Sequence, residues 1–204
     1  MNYQNNATAL VLVDVLNDFL AEDGKLYPAI APMLEQTGLI ANLQRLLEGA
    51  RAKGVKIFFS PHGLDEHSFD DVPHLHPRFH AGMENKVFWK GSYGADFFES
   101  LRPREGETII SQHRMFDSFM GTDLEQQLRA QGIQNVVLAG LTSQTCVEGT
   151  GRHALESGFH VTFLKDAVAE FTEAAHKAAI EISYPTYGHE VRTIAEFLGS
   201  VEAK

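Results

Sequence analysis

The strongest constraint on the fold of this chain is a regular alternation between short apolar runs and segments with helical periodicity. Six apolar runs have the length of a β-strand, and they cover residues 8–15, 55–60, 107–111, 135–139, 160–164 and 189–193. Strands that alternate with helices are typical of repeated βα units and a parallel sheet. The sequence therefore predicts an α/β fold.

Helical segments between these runs support the same conclusion. Residues 39–53 and 122–131 each place leucines on one face of a helix. The apolar face of the first segment consists of Leu39, Leu43, Leu46, Leu47 and Ala50, and that of the second includes Leu124 and Leu128. Gly54, Gly132 and Gly158 follow helical segments, as C-cap residues do. A length of 204 residues suits one domain, which we expect to span residues 1–204.

Composition excludes several classes of partner. The formal net charge is −10 and no cluster of Lys and Arg occurs, so no nucleic-acid surface is expected. No apolar stretch approaches the roughly 18 residues of a membrane span, and the N-terminus lacks a basic start. The chain has one cysteine, which fits a reducing compartment. We therefore expect a cytoplasmic protein without a membrane partner.

That cysteine, Cys146, lies where a buried apolar strand is predicted to give way to a helix. The free amides at a helix N-terminus stabilise a thiolate, which lowers the pKa of a cysteine and makes it nucleophilic. The alternative is a small buried side chain, because free cysteine is among the most buried residue types.

Asp14 interrupts the first apolar run, between Val13 and Val15. A buried carboxylate without a partner is costly, so either the strand ends there or Asp14 has a function. If the first and fourth strands are neighbours near the middle of the sheet, their carboxyl ends bring Asp14 close to Cys146. Capping of the following turn is the alternative.

Three further sequence segments extend the pattern around Cys146 and Asp14. They are GLTSQTCVEGTGRHALESG at 140–158, followed by Asp166 and Ala167; LVD at 12–14 with NDF at 17–19; and SFMGTDL at 118–124. Together they resemble the isochorismatase-like cysteine hydrolases, and the resemblance runs from about residue 9 to about residue 197. The segment around Cys146 is its specific part.

The resemblance implies a fold and a set of catalytic groups. The fold is a three-layer, doubly wound sheet of six parallel strands with helices on both faces. The family's catalytic residues are an Asp, a Lys and a Cys. By this resemblance, Asp14 matches the aspartate and Cys146 matches the cysteine. The resemblance also implies a cis peptide bond between Leu141 and Thr142, an oxyanion hole formed by the amides of Thr142 and Cys146, no cofactor, and a homodimer or homotetramer.

The third catalytic position departs from the family pattern. The family lysine lies six residues before a phenylalanine, and counting back from Phe119 gives His113. A protonated imidazole supplies positive charge, and a neighbouring Asp14 carboxylate would favour that form. Arg114 and Lys90 are alternative cations, although strand alternation would direct Arg114 to the opposite face. We predict that His113 takes the place of the lysine.

Residues 61–90 have no clear periodicity and are rich in histidine and acidic residues. Long loops of this kind are usually functional or mobile. Nicotinamide hydrolases of the family hold a metal through an Asp-x-His element, but the matching residues here are Ser60, Pro61 and His62. Because the carboxylate ligand is missing, we predict no metal, although His62 with His67, His74, His76 or His80 remains an alternative.

The expected reaction is hydrolysis of a C–N bond in a small amide through an acyl-enzyme on Cys146, with Asp14 as the proton carrier. Phe19, His62, Trp89 and Phe116 are the expected substrate-binding residues, with core packing as the alternative for Phe116. Three other functions stay open. They are vinyl ether hydrolysis of the isochorismatase type, a non-catalytic binding subunit, and a redox sensor that uses the lone thiol.

Overall fold

A computed structural model describes residues 1–202 and contains eight β-strands in that range. In chain order they are β1 (Tyr3–Gln4), β2 (Thr8–Val13), β3 (Lys56–Ser60), β4 (Thr108–Ile109), β5 (Asn135–Leu141), β6 (His160–Ala169), β7 (Glu190–Arg192) and β8 (Val201–Glu202). Six of them form one sheet in the order β4-β3-β2-β5-β6-β7, in which every neighbouring pair is parallel. Strands β1 and β8 pair separately. The predicted six-stranded parallel sheet is confirmed.

Nine α-helices connect the strands within the described residues. They are α1 (Asn17–Leu20), α2 (Tyr27–Thr37), α3 (Leu39–Ala52), α4 (Pro77–Glu84), α5 (Leu124–Ala130), α6 (Glu148–Glu156), α7 (Glu173–Ala178), α8 (Tyr184–Tyr187) and α9 (Ile194–Gly199). Two π-helical turns, Ser143–Val147 and Ala179–Ser183, precede α6 and α8. Between residues 1 and 202, no helix has the length and apolarity needed to span a membrane.

The sheet has a hydrophobic core on each face, and helices cover both. Side chains of β2 alternate between these two cores. Leu10 and Leu12 belong to the core that includes the apolar face of α3. Val11 and Val13 belong to the other core, with residues of α5 and α6. The predicted face of α3 is buried in full, with every member at most 1% exposed. The predicted three-layer, doubly wound α/β arrangement is confirmed.

The segment 61–90 contains one helix that the sequence pattern did not reveal, α4. Pro77 occupies its first turn, and the His76 side chain accepts a hydrogen bond from the Arg78 backbone N–H. Its only buried residue is Phe79. A helix of two turns with one buried side chain gives too little apolar periodicity to be recognised from sequence.

Candidate active site

The strand order reverses between β2 and β5, and the residues that follow these two strands lie at the same edge of the sheet. Open α/β sheets bind ligands in the crevice at such a point. Gly140 allows the close approach of the two strands, because its φ is 116° and a Cβ there would lie 2.1 Å from the Val13 carbonyl oxygen. Asp14 follows β2 directly, Cys146 lies in the π-helical turn after β5, and both are buried.

Asp14, the first residue after β2, has an uncommon backbone conformation with a φ of 54°. Its backbone N–H still donates to the Ser60 carbonyl, 2.9 Å away, so the chain stays attached to β3 as it turns. Left-handed φ values are more accessible to aspartate than to most residues. The side chain is completely buried, and its Oδ1 bonds to His113 rather than to a backbone N–H of the following turn, which does not support the capping alternative.

His113 is the hydrogen-bond partner of Asp14. Its Nε2 lies 2.9 Å from Asp14 Oδ1, and both side chains are 0% exposed. Its Nδ1 lies 2.8 Å from the Met115 carbonyl oxygen, which can only accept, so Nδ1 carries a proton. A second proton must then lie between Nε2 and Oδ1, on one atom or the other. The pair therefore holds this proton either as imidazolium and carboxylate or as imidazole and carboxylic acid.

The electrostatic surroundings favour the imidazolium form. Burial lowers the pKa of His113, but the charge of Asp14, the hydrogen bond to it and the Met115 carbonyl outweigh burial and raise the pKa above its usual value. The two rival cations lie elsewhere. Lys90 pairs with Asp65 on the surface, and Arg114 pairs with Asp71. Of the three candidates, His113 is the one that contacts Asp14.

The expectation of a lowered pKa at Cys146 is wrong for the resting site. Burial raises the pKa of the Cys146 thiol well above its ordinary value, and the negative charge of nearby Asp14 raises it further. Hydrogen bonds from Thr145 and from the Thr142 backbone oppose these effects without cancelling them. Any effect of the helix terminus is outweighed because Cys146 is buried beside Asp14, and burial and the Asp14 charge both raise the pKa of the thiol. The resting nucleophile is a thiol beside a carboxylate.

The predicted cis peptide bond and two threonine hydroxyls lie close to Cys146 in the chain. The peptide bond between Leu141 and Thr142 is cis. The hydroxyls of Thr142 and Thr145 are 2.6 Å apart, and the Thr145 hydroxyl lies 3.8 Å from the Cys146 sulfur. Asp14 Oδ2, the oxygen that does not face His113, is buried and has no hydrogen-bond partner among the described residues. An oxyanion hole at the Thr142 and Cys146 amides stays a prediction.

A cavity of about 890 Å³ opens onto Cys146. Of the four predicted substrate-binding residues, Phe19, His62 and Phe116 line it. Trp89 does not, since it packs against a small cluster formed by Leu64, Phe69 and Phe79, with the Lys86 ammonium 5.3 Å from its ring centroid. Trp89 therefore packs within the segment 61–90, other residues of which line the cavity.

Sequence reasoning missed several lining residues, which are Lys25, Leu26, Arg78, Val87 and Phe171. They come from four different parts of the chain, so no local motif joins them. Asp18 holds two of these parts together. Its two carboxylate oxygens accept hydrogen bonds from the backbone N–H groups of Lys25 at 3.1 Å and Phe88 at 2.6 Å. Asp18 thus fixes the wall of the cavity rather than capping only the turn after β2.

His62 is the second buried histidine of the site. Its ring centroid lies 4.8 Å from that of His113, and its Nδ1 is buried without a hydrogen-bond partner within residues 1–202. Burial and the positive charge of His113 lower the pKa of His62 to about 3, although Asp14 acts in the opposite direction. His62 is therefore neutral and presents an uncharged ring to the cavity.

The other histidines of the loop do not join His62 in a metal site. His67 pairs with Asp70 at the surface, and His76 caps α4. His74 and His80 are exposed. Residues 1–202 contain no group of three or more His, Cys, Asp or Glu side chains placed to hold a metal ion.

Comparisons with known proteins place this architecture in a family. The model of the isochorismatase domain matches residues 8–196. The ureidoacrylate amidohydrolase RutB of Serratia proteamaculans (strain 568) is 25% identical over 207 residues, covering 96% of this chain and 80% of the relative. An isochorismatase-like hydrolase from Alkaliphilus metalliredigens superposes with a TM-score of 0.76 at 28% identity, covering 95% of both chains.

A second solved structure shares the fold at lower identity. The cysteine hydrolase from Pseudomonas syringae pv. phaseolicola 1448A superposes with a TM-score of 0.82 at 23% identity, covering 98% of this chain and 94% of the other. The domain match extends over most of the chain and includes Asp14, His113 and Cys146. The chain therefore belongs to the isochorismatase family.

Proposed function

We propose that this protein is a cysteine-dependent hydrolase that cleaves the C–N bond of a small amide through a thioester acyl-enzyme. The observation that carries the proposal is the buried series formed by Cys146, Asp14 and His113, with Cys146 in the wall of the cavity. Its relative RutB is named an amidohydrolase, which supports the same class of reaction.

Acylation begins with a neutral thiol and a carboxylate. The Cys146 sulfur attacks the amide carbonyl carbon while the thiol proton moves to Asp14, whose Oδ2 is free to receive it. The carbonyl electron pair moves to oxygen, and the amides of Thr142 and Cys146 stabilise this oxyanion. Collapse of the intermediate breaks the C–N bond, and Asp14 returns the proton to the leaving nitrogen. Ammonia or an amine leaves.

Deacylation reverses the roles of the same groups. Water attacks the thioester carbonyl carbon and gives a proton to Asp14, and the C–S bond then breaks. Asp14 transfers this proton to the departing sulfur, so the thiol and the carboxylate are restored. The products are a carboxylic acid and the free enzyme. One carboxylate therefore serves as base and acid in both halves of the cycle.

His113 holds the Asp14 carboxylate in place for these proton transfers. Its imidazolium donates to Oδ1, which fixes the carboxylate and leaves Oδ2 toward the thiol. The Met115 carbonyl holds the ring in position through Nδ1. In this role a histidine replaces the family lysine, with a positive charge that is sensitive to pH.

A screen of primary amides, ureides and lactams for ammonia release or ring opening tests the proposal. We expect turnover of at least one compound by the wild-type protein and none above background by Cys146→Ala. Hydrolysis that continues at the wild-type rate in Cys146→Ala would overturn the proposed nucleophile. An inert wild-type protein across a broad panel would favour a binding subunit.

A further inference from the structure

The shape and charge of the cavity indicate which kind of amide it binds, an inference that rests on the proposed function. We propose that the substrate joins its amide to an apolar body of aromatic size and to an anionic group, and that Arg78 binds the anionic group. The amide would lie at Cys146, the body among the aromatic side chains, and the anion at the α4 side of the cavity.

The apolar body follows from the size and lining of the cavity. A volume of about 890 Å³ is near the upper end of the roughly 300–1,000 Å³ typical of small-molecule sites. Five phenylalanines line it, namely Phe19, Phe79, Phe88, Phe116 and Phe171. His62 adds a ring that is uncharged at neutral pH. A small and wholly polar amide would leave most of this apolar surface in contact with water.

The anionic group follows from the charges around the cavity. The protein has a formal net charge of −10, yet the charged residues that line this cavity are Lys25 and Arg78, and no Asp or Glu lines it. A positively charged cavity in a negatively charged protein attracts an anionic ligand. We therefore expect a carboxylate or a similar anion on the substrate.

Arg78 is the better placed of the two cations. Its guanidinium lies 5.6 Å from the centroid of the Phe116 ring, which itself lines the cavity. It forms no ion pair with a described carboxylate, unlike Arg51, Arg114 and Arg152. The Lys25 ammonium already donates to the Lys86 carbonyl. Arg78 therefore has its donors available for a bidentate contact with a carboxylate.

A matched pair of amides provides the test by activity. The anionic member is 4-carboxyphenylacetamide, and the neutral member, 4-acetylphenylacetamide, has nearly the same shape. We expect the wild-type protein to prefer the anionic amide by about tenfold or more in kcat/KM. Arg78→Met should remove this preference by raising KM for the anionic amide alone, and Arg78→Lys should retain part of it. Arg45→Met, which removes a remote exposed charge on α3, is the control and should retain the full preference.

Calorimetric binding of 4-carboxyphenylacetamide to Cys146→Ala protein separates this inference from the proposed function, because it requires no turnover. We expect binding that weakens about tenfold when Arg78→Met is added, and that does not weaken when Arg45→Met is added. Equal affinity with and without the Arg78 guanidinium, or equal preference for the two amides, would overturn the inference. Absent turnover with intact Arg78-dependent binding would overturn only the proposed function.

Discussion

Two groups of histidines in this protein differ in burial, and the difference decides what each can do. His62 and His113 lie beyond the carboxyl ends of β3 and β4, and they are 5% and 1% exposed. His67, His74, His76 and His80 lie in the segment 61–90, which contains α4 and part of the cavity lining, and all four are exposed. At the edge of the sheet, a histidine is held beside a buried carboxylate. On the loop, the same residue type is solvated.

We expect the chemistry of this protein to follow the edge of the sheet rather than the local density of titratable residues. Residues 61–90 are the part richest in histidine, yet His67 pairs with Asp70 at the surface, His76 caps α4, and His74 and His80 are exposed. Burial lowers the pKa of His113, but its interactions with Asp14 and with the Met115 carbonyl outweigh burial and raise that pKa. The following experiments test this contrast, beginning with the largest effect.

Asp14→Asn should have the largest effect on the sheet-edge group. Asparagine keeps the shape of the side chain but cannot accept the thiol proton, so kcat should fall by about 10³-fold. Steady-state kinetics on the best substrate of the amide panel measures this loss. Asp70→Asn, on the exposed loop, is the control and should retain wild-type kinetics. A loss smaller than tenfold in Asp14→Asn would contradict a central role for the carboxylate.

Replacement of His113 should affect activity, stability and pH dependence together. His113→Gln leaves a buried carboxylate without a cation, which should cost about 3–5 kcal/mol in the free energy of unfolding and about 10²-fold in kcat. Urea unfolding and kinetics measure these losses. His113→Lys should restore most of the activity.

The pH dependence has a definite sign. Because the pKa of His113 is raised in the folded protein, its charged form stabilises the fold fully below the ordinary value of 6.5, and this stabilisation is lost as pH rises through the raised pKa. Activity should decline over the same alkaline range. His113→Lys should move that decline to higher pH, since lysine normally titrates near 10.4. An unchanged alkaline limb in His113→Lys would show that another group is responsible.

Asp18, which follows β2, holds Phe88 of the segment 61–90 and Lys25 in the cavity wall, so its removal should give an intermediate effect. Asp18→Ala leaves the buried backbone N–H of Phe88 and the partly buried N–H of Lys25 without their acceptor, which should cost about 2 kcal/mol in stability. Because both residues line the cavity, KM should rise by about tenfold while kcat changes little. A fall in kcat with an unchanged KM would instead indicate a direct role for Asp18 in the chemistry.

The exposed histidines should have the smallest effect. The triple variant His67→Gln, His74→Gln, His80→Gln should retain activity within about twofold, because surface substitutions rarely disturb a distant site. Its activity should also be insensitive to a metal chelator, as should that of the wild-type protein. A large loss in this variant would show that the exposed histidines contribute to catalysis, which would contradict the difference drawn between the buried and the exposed histidines.

Much of the fold was predictable because it depends on local periodicity. The strands and the buried face of α3 repeat apolar residues at regular spacing, and the glycines at 54, 132 and 158 all have positive φ after helices. Helix α4 was not predictable, since it buries only Phe79. The end of β6 was also missed. It extends to Ala169, beyond the exposed Lys165 that interrupts its apolar pattern.

The candidate site was predictable where residues follow strand ends, and unpredictable where the cavity wall is assembled from distant segments. Asp14 and Cys146 follow neighbouring strands, so parallel topology alone brings them together. Arg78 and Phe171 reach the cavity from parts of the chain more than 90 residues apart, and no local pattern indicates their common position. The raised pKa of Cys146 depends on burial and on Asp14, which sequence spacing does not specify.

The most direct test of the account is the mass of the enzyme during turnover. Protein quenched in acid within the first turnovers of its best amide substrate should carry the mass of the acyl group, and peptide mapping should locate it on Cys146. Hydroxylamine should remove it, and Cys146→Ala should never carry it. Steady turnover with no acylated protein, and undiminished hydrolysis by Cys146→Ala, would contradict the thioester pathway.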